Sequence, residues 1–284
     1  MVLQFGQVAF GLGGIPFGEV DEFGVDWAID ENGFEGWGAT ASTRETVQRA
    51  RASGGWSGKG YLTPRNLSLS GRFFAPTPEL AVLALDRLND AASIDDTLLT
   101  VTEPGRVRSL MVHRTDDVLH KWLMPTVCVW GIGLVADDPR KLHAPLMGTT
   151  RLPSSVGGLS VPFTVPLTIS AVQVSGQVSL TNPGNTTGSV VLRIDGPCVG
   201  PVVTHVSSGR SLVFSSSLIL GAGEWLVIDM DARSVLANGQ SSRSGYVTGR
   251  GWSGFLPGEN TWSFTAAGFD AGSLLTVVAT PADK

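Results

Sequence analysis

The stretch Trp225–Gln240, WLVIDMDARSVLANGQ, decides how the second half of this chain reads. Its first residues alternate as a strand does. Leu226, Ile228 and Met230 point one way, and Val227, Asp229 and Asp231 the other. Both aspartates then share a face, about 7 Å apart along the strand. Such a pair fits a two-carboxylate hydrolase, yet it also fits the solvated face of a hairpin. Asn238-Gly239 is a strong hairpin turn and is expected to end the element. No series of oxygen ligands at calcium-loop spacing follows.

Upstream, residues 167–231 carry the same texture. Short β-branched runs are divided by Asn-Pro-Gly-Asn, Gly-Pro, Ser-Gly and Gly-Ala-Gly. Regular short strands with turn signals predict a sandwich, and no helix is expected there. Residues 144–166 hold four prolines and few charges, which predicts an interdomain linker between a domain at 1–143 and another at 167–284.

The first half is also mainly β. Asn66–Ala75 alternates, with Leu67, Leu69 and Gly71 on one face. TLLTVTE, RVRSLMVHRTDDVLHKW and TVCVWGIGLVADDP read as three further strands, and Glu-Pro-Gly-Arg joins the first two. One helix stands out in TPELAVLALDRLND. Thr77 is its N-cap, Pro78 its first residue and Glu79 complements its dipole. Leu80, Leu83, Ala84 and Leu88 are expected on its buried face. The Gly-rich first 60 residues are expected to form little core alone and to order against neighbours.

Composition narrows function. The chain has 284 residues, 42% hydrophobic and 16% charged, with net charge -5. It can bury enough apolar surface to fold, and an overall basic nucleic-acid surface is not expected. No run reaches the roughly 18 apolar residues of a membrane helix, and no basic residue precedes Arg44, so neither a membrane span nor a Sec-type leader is expected. Cys128 and Cys198 read as buried free thiols. His113, His120, His143 and His205 lack metal-ligand spacing. Gly131–Ala136 (GIGLVA) lacks the helix a dinucleotide loop requires, and Gly54–Gly60 (GGWSGKG) lacks phosphate-loop spacing. No cofactor, metal or catalytic residue is expected. Trp225, Trp252 and Trp262 are candidate glycan contacts, with core packing as the alternative.

At this point a family emerges. Ile228-Asp229, Arg233-Ser234-Val235, Asn238-Gly239 and Leu256-Pro257-Gly258-Glu259-Asn260 resemble the closing segment of siphophage distal tail (Dit-like) proteins and related minor tail proteins. PRNLSLSGRFFAPTPELAVLALDRL, VRSLMVH and GLVADDPRKL resemble the first half of the same family in the same order. The resemblance spans nearly the whole chain. It implies an N-terminal ring-forming domain, β-barrel-like with one helix, and a C-terminal β-sandwich of galectin or carbohydrate-binding-module type. It implies a virion protein of the tail tip, assembled in the host cytoplasm. There a hexameric baseplate-hub ring joins the tail tube protein to the tail-tip protein, and DNA passes its channel without specific binding. An adjacent minor tail component of the same fold is the neighbouring reading. The same resemblance gives Asp229 and Arg233 a turn-fixing role, and Pro257, Gly258 and Asn260 a tight turn before the last strands. A host-glycan-binding module is the main alternative. A hydrolase acting through Asp229 and Asp231 is the third reading.

Overall fold

The computed structural model describes residues 9–156, 172–174, 176–268 and 270–284. The chain divides into two compact units at His143/Ala144. It is mainly β, and among the described residues one α-helix occurs, in the first unit. No helix among these residues is long and apolar enough to cross a membrane.

The first unit is built from two antiparallel sheets that do not close into a barrel. One runs Ile15–Phe17, Ala9–Leu12, Thr97–Glu103, Arg106–Arg114. The other runs Asp26–Glu35, Arg65–Phe74, Val127–Ala136, Leu119–Met124. They meet where His113 and Arg114 pair with Val135 and Leu134. Arg65–Phe74 alternates as expected, with Leu67, Leu69, Gly71 and Phe73 buried. The segment 106–122 is two strands, Arg106–Arg114 and Leu119–Met124, and not one. Thr115, Asp116 and Asp117 form the break, since their polar side chains favour turns over a ladder.

Two expectations for this unit need correction. Phe10, Leu12, Ile15, Phe17, Val25, Trp27 and Trp37 all join its core, so much of the first 60 residues is core-forming. Aromatic rings supply the burial, and glycine content hid it: Phe17 lies 4.9 Å from Trp130 and 5.8 Å from Trp27, centre to centre. Only the later part of that stretch stays out of the core. The helix, Pro78–Ala91, is capped by Thr77, whose Oγ1 accepts from the Leu80 amide at 3.3 Å. Its buried residues are Ala81, Ala84, Leu88 and Ala91, while Leu83 is 55% exposed. Small alanines around the buried Leu88 let the helix approach the core closely, and Leu83 is left outside the contact.

The second unit is a β-sandwich. One sheet runs Leu146–Arg151, Leu274–Asp283, Thr186–Asp195, Trp225–Asp229, Ser234–Ala237, Ser241–Ser242. The other runs Gln177–Asn182, Gly258–Thr265, Val202–His205, Arg210–Phe214, Val247–Arg250. Val190, Leu192, Leu226, Ile228, Leu275 and Val277 from the first sheet share a core with Val203, Leu212, Phe214, Trp262 and Phe264 from the second. Leu146–Arg151, inside the stretch expected to be a linker, is thus an edge strand. Prolines bound it at Pro145 and Pro153 and leave its ladder intact. Ser154–Val156, in the same stretch, pairs with Val172–Val174, and residues 157–166 lie outside the described residues.

Candidate functional site

Asp229 ends its strand and faces a four-residue turn. Its Oδ1 accepts from the Asp231 amide at 2.9 Å and the Ala232 amide at 2.8 Å. Arg233 closes this turn with its backbone in the left-handed region, at φ 53°. Asp229 and Ser234 then face each other as the hairpin's first pair. The hairpin therefore turns at Met230–Arg233. Asn238-Gly239 makes the next turn, between Ser234–Ala237 and Ser241–Ser242. That correction follows from the backbone. Asn238 and Gly239 have φ 51° and 71°, and the Gln240 amide donates to the Ala237 carbonyl at 3.0 Å, as a type I′ turn requires. Asn238 also locks the hairpin mouth: its Oδ1 accepts from the Trp225 amide at 3.0 Å. Asp231 is exposed within the turn, off the strand. The carboxylate of Asp229 is thereby engaged by backbone donors, an arrangement suited to fixing a loop.

The second constellation centres on Asn260, which is fully buried. Its Nδ2 donates to the carbonyls of Leu256 (2.7 Å) and Gly258 (2.8 Å). Its Oδ1 accepts from the Leu256 amide (3.0 Å) and from His205 Nε2 (3.0 Å). All four hydrogen-bonding positions of the amide are used. Pro257 and Gly258 lie in the turn this amide closes, with Gly258 at φ 90°. His205 Nδ1 meets Ser208 Oγ at 2.8 Å, and its ring stacks on Trp262 at 5.0 Å. Burial lowers the His205 pKa below its usual 6.5, the Asn260 bond opposes this, and nearby Arg210 adds to the lowering. Sequence spacing could not join His205 to Asn260, since they lie on neighbouring strands.

The three tryptophans differ. Trp262 has 0% exposure and packs between His205 and Phe255, so it is a core residue and touches no external ligand. Trp225 is half-buried, with the Arg193 guanidinium 4.7 Å above its ring. Arg193 is itself held by Asp195 at 2.7 Å. Trp252 is half-buried against the core, and its carbonyl accepts from Arg210 at 2.8 Å. The structure therefore does not bring the three onto one face.

Two anchors in the first unit escaped the sequence reading. Asp21 accepts from the Phe23 and Val25 amides, Trp27 Nε1 and Arg87 Nη1. Burial pushes its carboxyl upward, yet these four donors outweigh it and hold the pKa below the usual value. Arg65 is buried, and its guanidinium donates to the carbonyls of Gly36, Trp37, Gly38 and Pro139. Its parity with Leu67, Leu69 and Phe73 was the signal that it points inward.

Arg65 roots a projection. Between Gly38 and Pro64 the chain forms a ladder of two short pairings, Ser42–Thr43 with Tyr61–Leu62 and Thr46–Gln48 with Gly55–Ser57. Every residue from Ala41 to Lys59 is exposed. At the root, the Trp37 indole donates to Glu103 at 3.3 Å, with Arg108 and Lys141 over its ring. Beyond the root nothing is buried. Among the described residues no group of three or more His, Cys, Asp or Glu is placed to hold a metal. Cys128 and Cys198 are buried and unpaired, and burial pushes the Cys198 thiol up to about 11.

No family model and no curated protein matches the sequence. Solved structures do match the fold. The crystal structure of the Dit protein of phage SPP1 aligns with a TM-score of 0.62, over 96% of this chain and 98% of that chain, at 11% identity. The chain has the fold of a phage Dit protein. Two structures of the phage P2 baseplate in its activated conformation, with Ca and with Sr, align at TM-scores of 0.51 and 0.52, each at 11% identity. Each covers 96% of this chain and 97% of the matched chain. The alignments therefore span both units of this chain, at low overall identity.

Proposed function

We propose that this chain is a structural protein of a phage tail tip: a ring-forming hub, hexameric, that joins the tail tube to the tip or baseplate and leaves a channel for DNA. The observation that carries this reading is the end-to-end match to SPP1 Dit, described as a paradigm of the hub adsorption apparatus in phages infecting Gram-positive bacteria. A partial match would support a shared domain only. Residues 1–143 act as the ring-forming domain, and residues 167–284 form a sandwich of galectin or carbohydrate-binding-module type. The partners are further copies of this chain, the tail tube protein and the tail-tip protein. The place of action is the virion tail, after assembly in the host cytoplasm. DNA passes without specific contact, as the net charge of -5 favours.

The candidate residues serve this role as turn fixers. Asp229, Arg233, Asn238, Gly239, Pro257, Gly258 and Asn260 shape loops at the sandwich edges and carry no chemistry. Glycan binding has less support, because Trp262 is buried and Arg193 covers one face of Trp225. The test is the solution mass of the purified chain by light scattering after size exclusion, with negative-stain images of the peak. A closed ring of about six copies is expected, since a heterologous contact that closes gives a ring. A monomer at all concentrations, or an open filament, would contradict a self-closing ring.

A further inference from the structure

The projection from Gly38 to Pro64 lacks what keeps such an element folded. A two-stranded hairpin is marginally stable alone in water, and this one buries none of its residues from Ala41 to Lys59. Its apolar side chains face solvent: Val47 and Trp56 are a cross-strand pair, with Trp56 68% exposed, and Tyr61 is 61% exposed. Its charge is one-sided, with Arg44, Arg49, Arg51 and Lys59 against Glu45 alone. Arg49 and Lys59 lie over the Trp56 and Tyr61 rings, at 4.7 and 5.6 Å. The arm is therefore both aromatic and basic. Ten extended residues reach about 33 Å, enough to leave the body that roots it.

The same unit carries a face with the opposite character. Leu119–Met124 is an edge strand, paired among the described residues only with Val127–Gly131, and all six of its residues are exposed. Met124 is 65% exposed and Leu119 71%. His120 and Lys121 are exposed at its middle, while Leu119, Leu123 and Met124 leave apolar surface on an open edge that is a template for pairing. Beside it, Pro78, Val82, Trp122, Leu123, Met124 and Pro125 line a shallow groove. The outer stripe of the helix continues this groove through Val82, Asp86 and Asp90, one turn apart, with Glu79 and Leu83 alongside, all exposed. No basic residue occupies the last helical turn. Outside the arm, acidic residues of 9–143 outnumber basic ones nearly two to one.

We propose that the arm of one copy docks on the helix-and-edge-strand groove of a second copy. Trp56, Val47 and Tyr61 would cover the apolar floor, and Arg49 and Arg51 would face Asp86 and Asp90. The contact is heterologous, with the arm and the groove as separate surfaces on each copy, so it can repeat around a ring. The edge strand also offers its free backbone to the arm as an added strand. Charge complementarity is what selects a second copy as occupant: the basic arm and the acidic helix stripe beside the apolar groove occur on the same chain. The proposal rests on the ring reading above only in taking that second copy as its partner.

The test uses the full chain and sedimentation equilibrium. Arg49→Glu with Arg51→Glu reverses the arm, and Asp86→Lys with Asp90→Lys reverses the groove. All four side chains lie off the cores, so each variant is expected to melt within a few degrees of the parent. Each reversal alone is expected to weaken self-association at least ten-fold, and the four substitutions together to restore it to within about three-fold. Association unchanged by either reversal, or not restored by the combination, overturns the arm contact and leaves a ring held by other surfaces. A parent that never associates overturns the contact and the ring together.

Discussion

The sandwich and the arm treat polar and apolar groups in opposite ways. In the sandwich a buried amide, Asn260, has all four of its hydrogen-bonding positions engaged, and Trp262 lies fully buried beside it. In the arm an equally large ring, Trp56, lies in solvent under a guanidinium. The sandwich satisfies the Asn260 amide within one chain, and of the groups around it the buried Trp262 indole N–H is left without a partner among the described residues. The arm has the composition of an interface without its other half. An interface core enriched in aromatics and arginine is where binding energy concentrates.

The sharpest way to break this contrast is to remove Asn260. Asn260→Ala strands several buried donors and acceptors around the turn and is expected to cost about 2–5 kcal/mol of the second unit's stability. Chemical denaturation followed by Trp fluorescence checks it, and a cost under about 1 kcal/mol would mean that the turn relaxes and finds water. Asp229→Ala comes next, at about 1–2 kcal/mol, because two amides lose their acceptor while water can reach the turn. That variant is expected to keep every binding activity of the parent. A folded Asp229→Ala chain that lost turnover of some glycan would reverse the reading of this residue.

The His205 prediction follows from pH. Its folded pKa is lowered, so the unfolded chain takes up the proton first as pH falls. The stability tied to the neutral ring is complete above 6.5, falls as pH drops below that value, and levels off below the folded pKa. Melting temperature measured from pH 7.5 to 5 is therefore expected to fall more steeply for the parent than for His205→Gln. Parallel curves would show that Ser208 and Asn260 accommodate the charged ring. The smallest effect is expected in the arm: Trp56→Ser changes the stability of the isolated chain by less than about 0.5 kcal/mol. A larger loss would mean that the arm packs on its own body.

What could be read from the sequence was what depends on local order. Alternation placed Leu67, Leu69 and Gly71, and the N-cap Thr77 placed the helix start, since both signals need only neighbouring residues. The helix face was misjudged because Leu83 outweighs Ala81 in hydrophobicity, whereas the packing contact selects small side chains. The Asn238-Gly239 turn was recognised as a turn but assigned to the wrong hairpin. Asp229 makes an earlier turn through amides that carry no signature of their own. Long-range partners stayed hidden. Nothing local tells that Arg65 reaches Pro139, 74 residues on, or that His205 meets Asn260, 55 residues on. The arm's glycines and serines were visible, but they were spread in the reading over residues 1–60 when only the later part is coreless.

Hydrogen exchange, measured on the full chain at concentrations below and above self-association, tests the contrast most directly. The account predicts that amides of residues 41–62 and 119–125 gain protection on association, while those around Asn260 are protected at both concentrations and do not change. Equal exchange of the arm in both conditions, or protection gained in the sandwich instead, would contradict it.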